Sequence, residues 1–148
     1  MAAARISRDL NNLERDPPTR WEAEPLSRFK TFEWKATMFG PLSTPYKGGA
    51  FKLSVKFPSN YPSAPPEVRF TTPIYHPNIS EGGIICLGIL KHQWKSSYSI
   101  RDVMNAIYTL MERPNPDDPM NGEAGQAYKS NRSQFNRTAE DWVGRHAR

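Results

Sequence analysis

The residue best suited to covalent chemistry in this chain is its single cysteine. Cys86 is the only cysteine among 148 residues, so no second thiol in the chain can pair with it. It lies within an apolar run, Ile84-Ile85-Cys86-Leu87-Gly88-Ile89-Leu90. A thiol in such a run either fills space in a core, as free cysteine often does, or acts as a reactive centre.

The residues that flank Cys86 indicate which reaction a reactive thiol would perform. Only Gly, Ile and Leu lie within four positions on either side, so no local charge lowers the pKa of the thiol. A thiol that cleaves an amide needs an activated thiolate and an adjacent imidazole. Exchange between two thioesters makes and breaks the same kind of bond and needs neither. The flanks therefore favour an acyl carrier over a cysteine hydrolase with His76 or His92 as its base.

Two polar segments contain further candidates for chemistry. His76-Pro77-Asn78 precedes the cysteine, and Asp117-Asp118 lies between two prolines further along the chain. Each also has a structural interpretation, because Asn, Pro and Asp are common turn residues. The first segment would then be a simple turn and the second a solvated bend. Either becomes functional only if the fold brings it close to the thiol.

Composition and charge exclude several classes of function. The net charge is +5, but the 20 Lys and Arg residues are scattered and do not alternate with aromatic residues, which argues against nucleic acid and favours acidic protein partners. One cysteine and three separated histidines lack the spacing of a zinc site. A glycine-rich phosphate loop is absent, as is an apolar run long enough to suggest a membrane segment. With one cysteine and no apparent signal peptide, we expect a cytoplasmic or nuclear protein.

The periodicity of the sequence predicts one α+β domain over residues 1–148. A helical pattern covers 2–15, and apolar and polar residues alternate over 32–38 and 51–57, with shorter strand candidates at 21–24 and 67–70. These strands predict a four-stranded antiparallel meander. The segment 61–66 is proline-rich and predicts an extended passage, with a cis bond as one option.

The second half of the chain predicts a long irregular segment and then three helices. Residues 71–98 show no sustained period, and an irregular stretch of that length is usually functional. A helix is predicted to open at Ser99, with Asp102 in a capping position and an apolar stripe from Ile100 to Met111. Further helices are predicted at about 122–130 and 132–145. In the last helix, Asn131 and Gln134 occupy capping-box positions, and the predicted buried residues are Phe135, Ala139, Trp142 and Val143.

Several motifs occur in a fixed order around the cysteine. They are Pro45-Tyr46-x-Gly48-Gly49, Phe57-Pro58-x-x-Tyr61-Pro62-x-x-Pro65-Pro66, Tyr75-His76-Pro77-Asn78, Ile85-Cys86-Leu87, Trp94 and Pro114-Asn115-Pro116-Asp117-Asp118-Pro119. In this combination the chain resembles the ubiquitin-conjugating enzymes. The resemblance extends from the first helix to Trp142 and is strongest to the small, core-domain-only, broad-specificity type.

The resemblance implies a role for each residue of these motifs. Cys86 would accept the C-terminal carboxyl group of ubiquitin as a thioester and pass it to a lysine amine. Asn78 would stabilise the oxyanion or order the adjacent loop, and Asp118 would orient the amine. Tyr75, His76 and Pro77 would support the site structurally. The family binds no cofactor or metal of its own, since ATP and Mg²⁺ are used by the upstream activating enzyme.

The resemblance also implies partners: ubiquitin, the activating enzyme, and ligases of the RING or HECT type. We expect the chain to be a monomer. The residues expected to contact partners are Arg5, Arg8, Pro62, Ser63, Ser96, Ser97 and Asn105.

Several of these positions depart from the broad-specificity pattern. Gly88 replaces a frequent second acid, Ser63 replaces a large apolar residue, and Lys95-Ser96-Ser97 replaces a Ser-Pro-Ala run. Asn105 replaces an aliphatic contact to the carried ubiquitin, and Glu22 replaces a serine on the back of the sheet. The changes at Gly88, at Asn105 and in the ligase loops leave open an alternative, a scaffold of the same fold that hardly discharges ubiquitin.

Overall fold

The computed structural model describes residues 1–148, in four helices and one sheet. Helix α1 spans Ala2–Arg15, and strands β1 to β4 span Trp21–Ser27, Lys30–Phe39, Ala50–Lys56 and Glu67–Phe70. Helices α2, α3 and α4 span Ile100–Glu112, Gly122–Ser130 and Arg132–His146. The predicted α+β class and the order of its elements are confirmed.

Helix α1 forms because its apolar residues recur at helical spacing and bury one stripe. Ile6 and Leu13 are buried, and Leu10 packs against the same core. The helix ends at Arg15, where Asp16 caps it and Pro17 follows. Proline disfavours helical geometry in the preceding residue, so the stop is encoded locally.

The four strands form the predicted antiparallel meander, with the order β1-β2-β3-β4. Along β2 and β3, every second residue points into the core. The buried cross-strand pairs on this inner face are Trp34 with Val55, Ala36 with Leu53 and Met38 with Phe51. The alternation seen in the sequence is therefore that of a sheet with one buried face.

Helix α2 contributes its apolar stripe to the same buried cluster as the inner face of the sheet. Its six buried residues are Ile100, Val103, Met104, Ile107, Leu110 and Met111, which is the predicted stripe. Ser99 and Asp102 form a capping box at its first turn. The hydroxyl and the carboxylate thereby satisfy backbone N–H groups that have no partner within the helix.

Two details at α4 differ from prediction. Asn131 accepts a hydrogen bond from the backbone N–H of Gln134, as predicted, but Gln134 does not return one to the backbone of Asn131. The N–H of Asn131 already donates to Ala127 at the end of α3, so Gln134 contacts the side-chain amide of Asn131 instead. Phe135, Ala139 and Val143 are buried, whereas Trp142 is half-buried because it lies at the margin of the core.

The segment between β4 and α2 is irregular, as predicted. It contains one short 3₁₀ turn at Gly88–Leu90 and a few isolated bridges, including His76 with Ile79 and Ile79 with Ile85. The Tyr61–Pro62 bond is cis. None of the four helices has the length and apolar character needed to cross a membrane.

Candidate active site

Cys86 lies in the middle of the irregular segment, two residues before the start of the 3₁₀ turn. Its backbone N–H donates to the carbonyl oxygen of Asn78 at 2.9 Å, which joins the two motifs that the sequence analysis singled out. The side chain of Cys86 is half-buried, while its neighbour Ile85 fills the core. The cysteine is therefore accessible, and the core-filling interpretation is wrong.

The carboxylate of Asp118 approaches the thiol from a loop 32 residues further along the chain. The S–H of Cys86 donates to Asp118 Oδ2 at 3.6 Å. Burial raises the pKa of the Cys86 thiol, the negative charge and hydrogen bond of Asp118 raise it further, and Lys91 lowers it in part. The thiol is thus protonated at neutral pH. This environment suits an acyl carrier and opposes a hydrolase that relies on a standing thiolate.

Asn78 is buried, and its side-chain amide hydrogen-bonds to the loop that contains Asp118. Its Nδ2 donates to the carbonyl oxygens of Asn115 at 2.7 Å and Asp118 at 3.0 Å. Its Oδ1 accepts from the N–H of Asn115 at 2.7 Å. Both amide hydrogens are engaged, so none is free for an oxyanion. The geometry supports the loop-ordering role of Asn78, and the oxyanion role stays a prediction.

His76 connects Asn78 to the end of helix α2. Its Nδ1 accepts from the N–H of Asn78 at 2.9 Å, so Nε2 carries the hydrogen and donates to the carbonyl oxygen of Leu110 at 2.9 Å. Tyr46 stacks on the imidazole, with ring centroids 5.8 Å apart. The ring is completely buried and remote from solvent. These contacts agree with the predicted structural role and leave no nitrogen free to act as a base.

The residues on either side of His76 hold the same region together. The carbonyl oxygen of Tyr75 accepts from the hydroxyl of Tyr46 at 2.6 Å. The carbonyl oxygen of Pro77 accepts from the N–H groups of Met120 and Asn121, at 2.8 and 3.0 Å. The loop with Asp118 is therefore fastened by Pro77 as well as by Asn78.

The buried histidine predicts a loss of stability in mild acid. Burial lowers the pKa of His76 to about 4, and its hydrogen bond to Leu110 offsets only part of that effect. Between pH 6.5 and 4 the unfolded chain binds a proton that the folded chain does not, so the free energy of unfolding falls as the pH falls. A difference of this size corresponds to about 3 kcal/mol.

Denaturant unfolding at several pH values between 7 and 4 measures this loss. His76→Gln is the matched variant, because glutamine keeps a donor and an acceptor and does not titrate. The carboxylates titrate equally in both proteins, so the difference between the two curves isolates His76. Parallel curves would contradict the assignment.

Gly88 leaves a gap beside the cysteine loop that another side chain fills. A Cβ atom at position 88 would lie 2.3 Å from Oε1 of Gln93. The neutral amide of Gln93 therefore occupies the space next to the backbone where a side chain at 88 would begin. Gln93 was not predicted to lie here, and its only signal in the sequence is indirect, the glycine at position 88 that leaves this space open.

Comparison with known proteins establishes the family of this chain. The family model described as "Ubiquitin-conjugating enzyme" matches residues 5–143. This chain belongs to the ubiquitin-conjugating enzyme family. Among solved structures, a ubiquitin-conjugating enzyme domain from Toxoplasma gondii is similar, with 35% sequence identity, a TM-score of 0.91 and coverage of 99% of each chain.

One residue predicted to dock a partner of this ubiquitin-conjugating enzyme, Arg5, is half-buried and bonded to other parts of the fold. The Arg5 side chain is only 10% exposed and pairs with the buried Asp9 at 2.9 Å. It also donates to the carbonyl oxygens of Ser96, at 2.7 Å, and Tyr98. In this structure the donors of Arg5 tie α1 to the loop before α2, and its contact with a partner stays a prediction.

Asp9 extends this link to the proline-rich segment of the ubiquitin-conjugating fold. Its Oδ2 accepts from the hydroxyl of Tyr61 at 2.5 Å and from the N–H of Ile100 at 3.3 Å. Burial raises the pKa of Tyr61, as does the carboxylate of Asp9, so this hydroxyl remains a donor. One buried carboxylate thus joins α1, the segment that leads to Pro62, and the start of α2.

The other predicted partner residues lie at or near the surface. Arg8, Ser63, Ser96, Ser97 and Asn105 are exposed, and Pro62 is half-buried. The carbonyl oxygen of Pro62 accepts from the indole of Trp94 at 2.8 Å. On α2, Asn105 Oδ1 accepts from the indole of Trp21 at 2.9 Å, so its amide is oriented by β1. Glu22 is exposed on the outer face of the sheet.

Proposed function

We propose that this member of the family carries ubiquitin as a thioester on Cys86 and transfers it to lysine amines or to a ligase cysteine. The observation that supports the proposal best is the accessible thiol 3.6 Å from the carboxylate of Asp118. Around it, Asn78 and Pro77 hold the loop that contains this carboxylate. The partners would be ubiquitin, the activating enzyme and ligases.

Charging is an exchange between two thioesters. The sulfur of Cys86 attacks the carbonyl carbon of ubiquitin's thioester with the activating enzyme, and the bond to the activating enzyme's sulfur breaks. The thiol proton passes to that departing thiolate, and Asp118 is placed to accept it on the way. Because the bond that breaks and the bond that forms are of the same kind, the exchange is nearly balanced in free energy, and proton transfer toward Asp118 makes the sulfur nucleophilic as it attacks.

Discharge is an attack by an amine on the thioester of Cys86. A free lysine has a pKa of about 10.4, so the ammonium group must lose a proton before it attacks. The exposed carboxylate of Asp118 is the only acid that hydrogen-bonds to the sulfur of Cys86. This carboxylate is therefore the group that orients the attacking amine. The amine nitrogen bonds to the carbonyl carbon, the C–S bond breaks, and Cys86 leaves as a thiolate that regains a proton.

The test is a charging assay with purified activating enzyme, ATP and Mg²⁺. We expect a ubiquitin adduct on a non-reducing gel that disappears with reductant. Omission of ATP is the control. A panel of ubiquitin-like modifiers, each with its own activating enzyme, establishes which modifier is carried. Failure of every modifier to form a reductant-sensitive adduct would refute the proposal.

A scaffold that charges but hardly discharges is the second candidate, and Gly88 is the observation that favours it. A neutral Gln93 amide occupies the space beside a position where the family often has an acid. A chase of the charged protein with free lysine separates the two candidates. Rapid loss of the thioester supports the transferase, whereas a thioester that persists through the chase supports the scaffold.

A further inference from the structure

The loop that contains Asp118 folds back onto helix α3, which follows it. Two prolines of this loop lie over a buried glycine of the helix, Gly125. A Cβ atom at Gly125 would lie 3.0 Å from Cβ of Pro119 and 3.5 Å from the carbonyl oxygen of Pro116. Two carbon atoms make their best contact at about 3.5 to 4.0 Å. The loop can therefore lie this close to α3 only because Gly125 has no side chain.

The loop is held on both sides of Pro119, so it cannot move away from α3 as a whole. Before the proline, the carbonyl oxygen of Asp118 accepts from Nδ2 of Asn78 at 3.0 Å. After it, the N–H of Met120 donates to the carbonyl oxygen of Pro77 at 2.8 Å. The proline ring is rigid and fixes its own φ angle, so it cannot yield by rotating a side chain. A displacement of Pro119 is therefore passed on to the residue directly before it, Asp118.

The contact that such a displacement would disturb is the one between Asp118 and the sulfur of Cys86. The thiol donates to Oδ2 of Asp118 at 3.6 Å, and no other donor hydrogen-bonds to this exposed carboxylate. The backbone of the loop therefore sets the place of the carboxylate. Hydrogen bonds weaken as distance and angle depart from their preferred values, so a displaced carboxylate binds the thiol less well.

We propose that Gly125 is a positioning residue for the transfer reaction, because its lack of a side chain lets the loop lie against α3 with the carboxylate of Asp118 beside the sulfur of Cys86. Gly125 acts only through Asp118, and this inference rests on the proposed function, in which that carboxylate orients the attacking amine. Glycine within a helix is less favourable than alanine. Its presence at a buried position of α3 is explained by the close approach of the loop.

The experiment adds one methyl group at each of two helical glycines. Gly125→Ala places a Cβ atom against Pro119, and Gly144→Ala is the matched control, because Gly144 is exposed on α4 and a Cβ atom there would meet nothing within 4 Å. Both replacements favour the helix, so they differ in the contact with the loop. In a lysine chase of the charged protein, we expect Gly125→Ala to slow discharge by about threefold to tenfold, less than a displacement by about 1 Å would. We expect Gly144→Ala to leave the rate unchanged.

The pKa of the Cys86 thiol reports the place of the carboxylate and needs no ubiquitin. Burial raises this pKa, and the negative charge and hydrogen bond of Asp118 raise it further, so displacement of the carboxylate lowers it. Because the chain has one cysteine, the rate of alkylation by iodoacetamide at several pH values measures the pKa. At pH 7 we expect alkylation to be about twofold faster or more in Gly125→Ala and unchanged in Gly144→Ala. In an Asp118→Asn background, Gly125→Ala should change the pKa no further, because no charge remains to be displaced.

The two readouts keep this inference separate from the proposed function. Failure of the wild type to form a thioester refutes the proposed function, and the titration of the thiol still decides whether Gly125 places the carboxylate. A lower thiol pKa together with slower discharge, in Gly125→Ala alone, supports the inference. It is overturned if Gly125→Ala leaves the thiol pKa unchanged or raises it, if discharge keeps its wild-type rate, or if Gly144→Ala has the same effects.

Discussion

Replacing Cys86 with alanine is expected to abolish the reductant-sensitive ubiquitin adduct completely. No other cysteine exists in the chain, so no second thiol can take its place. Replacing it with serine should give an adduct that forms more slowly and resists reductant. An oxygen ester does not exchange with thiols, and the hydroxyl is a weaker nucleophile than the thiol. Non-reducing and reducing gels of the three proteins, run side by side, measure both effects.

Because Cys86 is only half-buried, its replacement should not disturb the fold. The thiol of Cys86 contributes little to the core, where Ile85 is the buried neighbour. The free energies of unfolding of the serine and alanine variants should therefore stay within about 0.5 kcal/mol of the wild-type value. A reductant-sensitive adduct on the alanine variant would show that Cys86 is not the acceptor.

Most of the fold was predictable because its signals are local. The stripe of α2 follows from residues three and four positions apart, and the inner face of β2 and β3 follows from strict alternation. Helix ends follow from single residues such as Ser99, whose cap needs only Asp102 nearby. Motif order then identified Cys86 as the centre of the site, and the position of Asp118 beside the sulfur agrees with it.

The contacts of Arg5 and Asn78 could not be predicted, because they join segments that are distant in the sequence. Arg5 looks like one more exposed cation on a basic helix, and nothing within that helix shows that its guanidinium reaches the carbonyl oxygen of Ser96, 91 residues away. Likewise, the types and spacing of the motif residues do not show where Asn78 points. Two loop carbonyl oxygens 37 and 40 residues away take both of its amide hydrogens. Side-chain hydrogen bonds of this kind are set by the packed fold, which periodicity does not describe.

Replacing Asn78 with alanine should slow discharge to free lysine on the order of 10²-fold while charging continues. The variant loses three hydrogen bonds to the loop with Asp118 and leaves the N–H of Asn115 without its acceptor. At about 1 kcal/mol each, these bonds stabilise the ordered loop by about 3 kcal/mol, which the variant loses. The carboxylate then no longer stays near the sulfur, and misplacement of a catalytic group by about 1 Å is enough for a loss of this size. A lysine chase of the charged protein measures the rate.

Hydrogen exchange at Asn115 distinguishes loop ordering from direct oxyanion stabilisation. Asn78→Ala should expose the Asn115 amide to exchange, whereas Asn78→Asp keeps an acceptor oxygen for that amide and should protect it better. Asn11→Ala is the matched control, because Asn11 is exposed on α1, and we expect neither rate nor exchange to change. If Asn78→Ala slowed discharge and left Asn115 as protected as in the wild type, the amide would have to act on the reacting carbonyl itself. In the absence of ubiquitin, both hydrogens on Nδ2 of Asn78 are bonded to the carbonyl oxygens of Asn115 and Asp118. Nδ2 would then have to leave these oxygens when ubiquitin is bound.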